Sequence, residues 1–165
     1  FKKKESKKFL SNLIFIIYIF SFCSYFFAIS FFLHLKIILF LILITCIASD
    51  IGGFVFGKIF KGPKLTKISP NKTISGAIGS VLFSSFVISL ASYLITEIFD
   101  PNILIIGCLI SISCQVGDLL FSFLKRKSSI KDSGNFLPGH GGVLDRIDGI
   151  LLGMPIGFLI LLLLY

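Results

Sequence analysis

The sequence contains no tryptophan, one methionine and only eight acidic residues among its 165. Its four cysteines form no Cys-x-x-Cys motif and no cluster with histidine, so neither a zinc site nor a disulfide framework is expected. The inverted repeats typical of many secondary transporters are not visible. Polar surface is also scarce, since 55% of the residues are hydrophobic, and a soluble domain of this size needs far more of it.

Long apolar runs fill most of the chain instead, and each can cross a hydrocarbon core of about 30 Å. The sequence therefore predicts an all-α fold, a polytopic integral membrane helical bundle that forms a single domain over residues 1–165. Five transmembrane helices are expected, at about 9–33, 36–57, 74–97, 102–125 and 148–165. A tight turn at His34 and Lys36 is expected after the first helix, and one at Pro101 after the third.

The net charge of +8 is concentrated in three clusters. They lie before the first apolar run, in a polar loop over 58–73, and in and around a second loop over 126–147. If the chain weaves through the membrane, all three reach one face, which the positive-inside rule assigns to the cytoplasm. The expected topology is N-in and C-out. Topology and attraction to anionic lipid explain most of the charge, so no nucleic-acid partner is expected.

The most polar stretch reads SFLKRKSSIKDSGNFLPGHGGVLDRIDG and lies between two apolar runs. Ionisable groups are rare in membrane-embedded chains unless they have a function. Upstream of it, Asp118 shares one helical face with Ser122 at i+4 and Lys125 at i+7, and Gln115 at i−3 joins that face. Such a polar stripe lines a site or a helix interface. When Asp118 is considered without these neighbours, the alternative is a helix cap at the membrane interface or a snorkelling side chain.

Asp145 and Asp148 are spaced i, i+3 at the start of the last predicted helix. Two carboxylates on one face repel each other unless a cation lies nearby, and the preceding GHGG lets the backbone approach a ligand closely. Carboxylate oxygens, glycines and flanking Lys and Arg suit magnesium and phosphate. The alternative is structural, because acidic residues in a first helical turn also interact favourably with the helix dipole.

A second polar stretch, SPNKTISG, precedes the third predicted helix. Ser69, Lys72 and Thr73 offer donors for a phosphate at the helix entrance, where backbone N–H groups also point outward. A polar N-terminal cap with a snorkelling lysine is the alternative explanation. Along this helix, Gly76, Gly79 and Ser80 favour close helix packing over a role in binding.

These segments resemble the signature of the phosphatidate cytidylyltransferases, also called CDP-diglyceride synthetases. In this sequence the signature runs S-x-x-K-R-x4-K-D-S-G and then P-G-H-G-G-x-L-D-R-x-D-G, with many fixed positions at fixed spacing. The G-D-L at 117–119, the S-P-N-K-T at 69–73 and the region around Asp50 are also similar to family motifs, so that the resemblance covers about 48–150. Ser75 and Phe121 stand where the family usually or often has glutamate.

The resemblance implies a magnesium-dependent nucleotidyl transfer, in which CTP and phosphatidic acid give CDP-diacylglycerol and pyrophosphate in phospholipid synthesis. It implies Asp118, Asp145 and Asp148 as Mg²⁺ ligands, with a second divalent or a monovalent cation in the same site. The basic residues implied in catalysis, as phosphate clamps, are Lys125, Arg126, Lys131 and Arg146. The further substrate-binding residues implied are Ser69, Lys72, Thr73, Asp50, Lys58, Ser122, Asp132, His140, Gly141 and Gly142.

Family members form dimers and carry more amino-terminal helices. A homodimer is therefore expected, in a bacterial plasma membrane with the active site on the cytoplasmic side, and Phe1 indicates a fragment or a missing amino terminus. A CTP-dependent prenol kinase and an ether-lipid cytidylyltransferase share the nucleotide and metal chemistry and stay open as alternatives. A small transporter would need polar residues through the full membrane depth, whereas here they cluster at one face.

Overall fold

The structure is a computed structural model that describes residues 2–66, 69, 71–127, 142 and 144–164, with the side chains of all of these except 2–12 and 146. Within these ranges the chain forms five helices: α1 (Lys2–Ile29), α2 (Leu33–Phe60), α3 (Ile74–Thr96), α4 (Asn102–Lys127) and α5 (Leu144–Leu164). The predicted all-α architecture is confirmed. The chain divides into two compact units, with the boundary between Ile37 and Ile38. That all of it acts as one domain stays a prediction.

Helices α2 to α5 are each long and apolar enough to cross a membrane, and α1 adds a shorter apolar stretch, Leu13–Ile29. Large apolar side chains are exposed along them, such as Phe86 and Leu94, as expected of surfaces that face lipid. With 28 residues, α2 is about 42 Å long, which exceeds the hydrocarbon core and leaves room for Lys58 outside it. The protein is a multi-pass membrane protein.

The first turn is not where the sequence predicted it, since His34 and Lys36 lie in the first turns of α2. The chain breaks instead at Ser30, whose Oγ donates a hydrogen bond to the carbonyl of Phe27 at 2.7 Å. The next two backbone N–H groups bond to carbonyls three residues earlier. Tightened bonds of this kind end the helix inside an apolar run that contains neither proline nor glycine, so no residue type in the run predicts the turn.

Small residues bring α2 and α3 into close contact. A Cβ atom built on Gly76 would lie 2.7 Å from the carbonyl oxygen of Gly53, a distance that real side chains do not adopt. Gly79 is buried in the same interface, and Ser80 Oγ donates to the carbonyl of Ser49 at 2.7 Å. The predicted packing role of Gly79 and Ser80 is confirmed.

Helix α4 packs against both α3 and α5. It also reaches α2, because Ser111 Oγ and Ser49 Oγ lie 2.8 Å apart and share a hydrogen bond. At its other contact, a Cβ on Gly117 would lie 3.0 Å from the carbonyl oxygen of Asp148. Gly117 therefore lets α4 and α5 approach closely where Asp118 and Asp148 lie.

Candidate active site

A cavity of about 470 Å³ lies between the C-terminal halves of α2 and α4 and the N-terminal ends of α3 and α5. Its walls are mostly polar or small residues, together with the loop that precedes α3. The lining residues are Ser49, Asp50, Gly53, Phe54, Leu65, Ser69, Asn71, Lys72, Thr73, Gly76, Ala77, Ser80, Gln115, Asp118, Asp145 and Asp148.

Four carboxylates from three helices line this one cavity. Asp50 comes from α2, Asp118 from α4, and Asp145 and Asp148 from α5. Helix α5 begins at Leu144, four residues earlier than predicted, because Asp145 caps its start: the Gly142 N–H donates to Asp145 Oδ2 at 2.9 Å. The sequence placed all four aspartates in the site, and the fold brings them together.

Lys72 forms an ion pair with Asp118, which joins the loop before α3 to α4. Both side chains are about a quarter to a third exposed, at 26% and 30%, so water in the cavity reaches the pair. The two residues are far apart in sequence, and the sequence predicted different roles for them. Lys72 was predicted to bind phosphate, and Asp118 was predicted to bind the metal ion. The structure joins them in one ion pair.

Lys125 lies between the two carboxylates of α5. Its Nζ is 2.8 Å from Asp145 Oδ1 and 3.4 Å from Asp148 Oδ2. The three side chains are only 11–17% exposed, so their charges are less screened than those of a surface pair. The sequence predicted that a cation must relieve the repulsion between Asp145 and Asp148, and here an ammonium group does so.

The loop before α3 forms one wall of the cavity. Thr73 is the N-cap of α3, and its Oγ1 accepts the Gly76 N–H at 3.1 Å. The backbone of Lys72 is held on both sides, because its carbonyl accepts the Leu65 N–H at 2.7 Å and its N–H donates to Ser69 O at 3.1 Å. The capping alternative is therefore correct for Thr73. It is compatible with the predicted phosphate contact, because Ser69, Lys72 and Thr73 all line the cavity.

Five predicted substrate-binding or clamping residues within the described part of the chain are not among those that line the cavity: Lys58, Ser122, Lys125, Arg126 and Gly142. Lys58 lies near the end of α2 with its Nζ 5.7 Å from the centroid of the Phe54 ring. Arg126 is exposed in the last turn of α4, and Ser122 is half-buried one turn above Asp118. The roles of these residues in binding substrate stay predictions. The predicted residues Lys131, Asp132, His140 and Gly141 and the side chain of Arg146 lie outside the described part of the chain.

The sequence analysis missed several small and polar lining residues. Ser49 and Asn71 were not singled out, although each is adjacent to a predicted residue. Gln115 was placed on the polar stripe without a role. Its Nε2 donates to the carbonyl of Ala77 at 3.1 Å, which ties α4 to α3 beside the cavity. Their positions next to Asp50 and Lys72 in the sequence could have pointed to Ser49 and Asn71. The contact of Gln115 with α3 could not be predicted without the fold.

The donor set fits a hard divalent cation, since four carboxylates outnumber the two ammonium groups that contact them. Two formal negative charges are left over, which a phosphate ligand would not tolerate without added cations. As they stand, no three His, Cys, Asp or Glu side chains within the described ranges are arranged to hold a metal ion. Lys72 and Lys125 contact three of the four carboxylates instead.

Fold and cavity together define a multi-pass helical membrane protein with a carboxylate-rich site at one end of its helices. The sequence profile of the cytidylyltransferase family matches residues 2–164. The chain belongs to this family.

Individual relatives agree with the family match. The chain is 45% identical over 130 residues to the phosphatidate cytidylyltransferase of Rickettsia felis, covering 73% of this chain and 57% of that protein. It is 45% identical over 119 residues to the protein of that name from Rickettsia bellii, with 67% and 52% covered. For the Helicobacter pylori protein of that name the identity is 42% over 112 residues, with 68% and 42% covered. The chain spans about half the length of these curated relatives.

Proposed function

We propose that this protein transfers the cytidylyl group of CTP to phosphatidic acid, giving CDP-diacylglycerol and pyrophosphate. The observation that carries the proposal is the cavity lined by Asp50, Asp118, Asp145, Asp148 and Lys72, beside which Lys125 pairs with Asp145 and Asp148. Carboxylates with flanking lysines at one membrane face suit phosphoryl chemistry between a soluble nucleotide and a lipid headgroup. Family membership and the names of the relatives support the same reaction.

In this reaction a non-bridging oxygen of the lipid phosphate attacks the α-phosphorus of CTP. A new P–O bond forms, the bond from the α-phosphorus to the bridging oxygen breaks, and pyrophosphate leaves with that electron pair. No proton has to be removed from the attacking group, because it is already ionised. The chain's task is therefore to align two phosphate groups and to offset their charge.

The cavity residues suit that task. Lys72 and the Thr73 cap, at the N-terminus of α3, form a phosphate-binding wall on one side. Lys125 on the other side holds Asp145 and Asp148 in place and leaves them ordered for a cation. Asp118, Asp145 and Asp148 would hold Mg²⁺, with Asp50 beside them, and the ion would neutralise charge that develops on the phosphates.

The metal proposal has a direct test besides activity. Mg²⁺ added with CTP should raise the apparent melting temperature of the purified protein, because ligands that bind the native state stabilise it. An excess of EDTA should abolish both this shift and the activity, and added Mg²⁺ should restore both. An Asp145→Asn variant that keeps full activity and the full shift would exclude Asp145 as a ligand.

We also propose that the cavity faces the cytoplasm of a bacterial plasma membrane and that the protein works as a homodimer. Lys58, Lys61, Lys64 and Lys72 lie near the cavity end of α2 and α3, and the last turn of α4 carries three basic residues at the same end. Such an excess supports a cytoplasmic position. Light scattering on the detergent-solubilised protein tests the dimer, and a monomeric mass in active samples would exclude it.

Two labelled nucleotides separate the proposal from its alternatives. If the protein is a cytidylyltransferase, lipid product gains label from α-³²P CTP and none from γ-³²P CTP. A CTP-dependent prenol kinase gives the opposite pattern with a prenol acceptor, and a transporter labels no lipid. Phosphatidic acid and an archaeal-type ether lipid offered in parallel separate the two cytidylyltransferases. Absence of α-label in lipid, where a known phosphatidate cytidylyltransferase works, excludes the proposed function.

A further inference from the structure

An apolar groove of about 510 Å³ lies between α3 and α4, next to the polar cavity. One wall is a stripe on α3 formed by Ile74, Ile78 and Leu82, and the facing wall is a stripe on α4 formed by Ile112, Val116 and Leu119. Spacings of three and four residues put each set on a single helical face.

The register of the two helices gives the groove a direction. α3 runs away from the cavity and α4 runs toward it, so Ile74 and Leu119 mark the end near the cavity. Ile74 follows the Thr73 cap, and Leu119 follows Asp118. Leu82 lies eight residues further along α3, so the groove runs for about 12 Å, most of the depth of one leaflet of about 15 Å.

The few polar groups in the groove are already bonded within the protein. Thr66 Oγ1 accepts the Ser69 N–H at 3.3 Å, and Gln115 Nε2 donates to Ala77 O at 3.1 Å. The surface offered to a ligand is therefore hydrocarbon. Leu65, Ala77 and Gln115 line the groove and the polar cavity alike, so the two share one wall.

We propose that this groove holds one acyl chain of the lipid substrate, with the lipid's polar end crossing the shared wall at Gln115 into the cavity. This inference rests on the proposed function. A polar cavity for phosphate that shares a wall with a hydrocarbon groove matches the two ends of a phosphatidate molecule. The surrounding lipid tails are as apolar as the groove, so binding of the acyl chain in the groove adds little affinity. Its effect is to hold the lipid phosphate at a fixed distance from the aspartates.

Filling the deep end of the groove tests the proposal. Leu82→Trp on α3 and Ile112→Trp on α4 place bulk far from the cavity, one from each wall. The control is Ile47→Trp, at an exposed apolar position of α2 that lines neither the cavity nor the groove. Each variant is assayed with dihexanoyl phosphatidic acid, whose chains are too short to reach Leu82, and with the dioleoyl lipid.

The groove predicts that both tryptophans lower kcat/KM for the dioleoyl lipid by roughly tenfold, because the chain meets a steric block. The dihexanoyl substrate should lose less than about twofold, and Ile47→Trp should change neither. An equal loss on both substrates, or no loss, in either active groove variant would overturn the proposal. The ratio between substrates is the readout, since a general folding defect lowers both rates together.

A second measurement needs neither folded variants nor turnover. Phosphatidic acid with a diazirine near the middle of one acyl chain, irradiated on the wild-type protein, should label α3 and α4 peptides around Leu82 and Ile112. Excess unlabelled phosphatidic acid should compete. If another protein segment covers the groove, the label appears elsewhere, and the proposal fails even though lipid product is made. Labelled groove peptides without any lipid product would instead reject the proposed reaction and keep the acyl site.

Discussion

The ammonium group of Lys125 lies 2.8 Å from Oδ1 of Asp145, although the two residues are 20 positions apart. The contact joins the last turn of α4 to the first turn of α5. It brackets the polar segment that carries most of the family signature. Lys125 therefore has a structural role in the site, in addition to its predicted contact with a phosphate.

Replacing Lys125 should destabilise the protein. In Lys125→Met the largely buried Asp145 and Asp148 lose their shared cation, and the loss of a charged hydrogen-bond donor from buried carboxylates costs about 1–3 kcal/mol. The apparent melting temperature should fall by roughly 4 °C or more. Lys127→Met, an exposed neighbour in the same helical turn, is the control and should change it by about 1 °C or less. Equal melting temperatures for the two variants would show that the pair carries no stability.

Lys72 should contribute to substrate binding and to holding Asp118. Lys72→Gln is expected to lower kcat/KM for CTP by roughly 10–100-fold, since a charged phosphate contact is lost and Asp118 is released. Lys64→Gln removes the same charge from an exposed position in the same loop that does not line the cavity. Its kcat/KM should stay within about twofold of the wild type. Comparable losses in both variants would indicate a general electrostatic effect of the loop.

The crossing of α2 and α3 should depend on glycine at position 76. Gly76→Ala forces a methyl group to within 2.7 Å of the Gly53 carbonyl oxygen, so α2 must move and the cavity with it. The melting temperature and the activity should both fall. Gly149→Ala is a milder test, because its nearest atom, the Cys114 carbonyl oxygen, lies 3.3 Å away and alanine favours the helix. A Gly76→Ala protein as stable as Gly149→Ala would contradict the packing argument.

Much of the fold followed from hydropathy, because runs of twenty apolar residues in a membrane chain form helices. The turn at Ser30 did not, since no proline, glycine or charge marks it and only local hydrogen bonds end α1. The four aspartates were predictable because a carboxylate in an apolar run is costly and so stands out. Their partners were not. The pairing of Lys72 with Asp118 depends on how α3 and α4 pack, which a single sequence does not encode locally.

The two ends of the helices should lie on opposite sides of the membrane. Lys127→Cys, at the cavity end of α4, should react with a membrane-impermeant maleimide in inverted vesicles and stay unlabelled in intact spheroplasts. Glu97→Cys, in the turn between α3 and α4 at the other end, should show the reverse pattern. The unmodified protein gives the background from its own four cysteines. Labelling of Lys127→Cys in intact spheroplasts would place the cavity on the outer face.

The aspartate cavity is proposed to carry out cytidylyl transfer. The most direct measurement follows α-³²P from CTP into phosphatidic acid with the wild type, Asp118→Asn and Glu97→Gln, the last an exposed acid at the far end of α3. Labelled CDP-diacylglycerol is expected from the wild type and from Glu97→Gln, and its formation should fall by roughly 100-fold or more in Asp118→Asn. Full label transfer by Asp118→Asn, in protein that is folded and free of other cytidylyltransferases, would contradict the proposal.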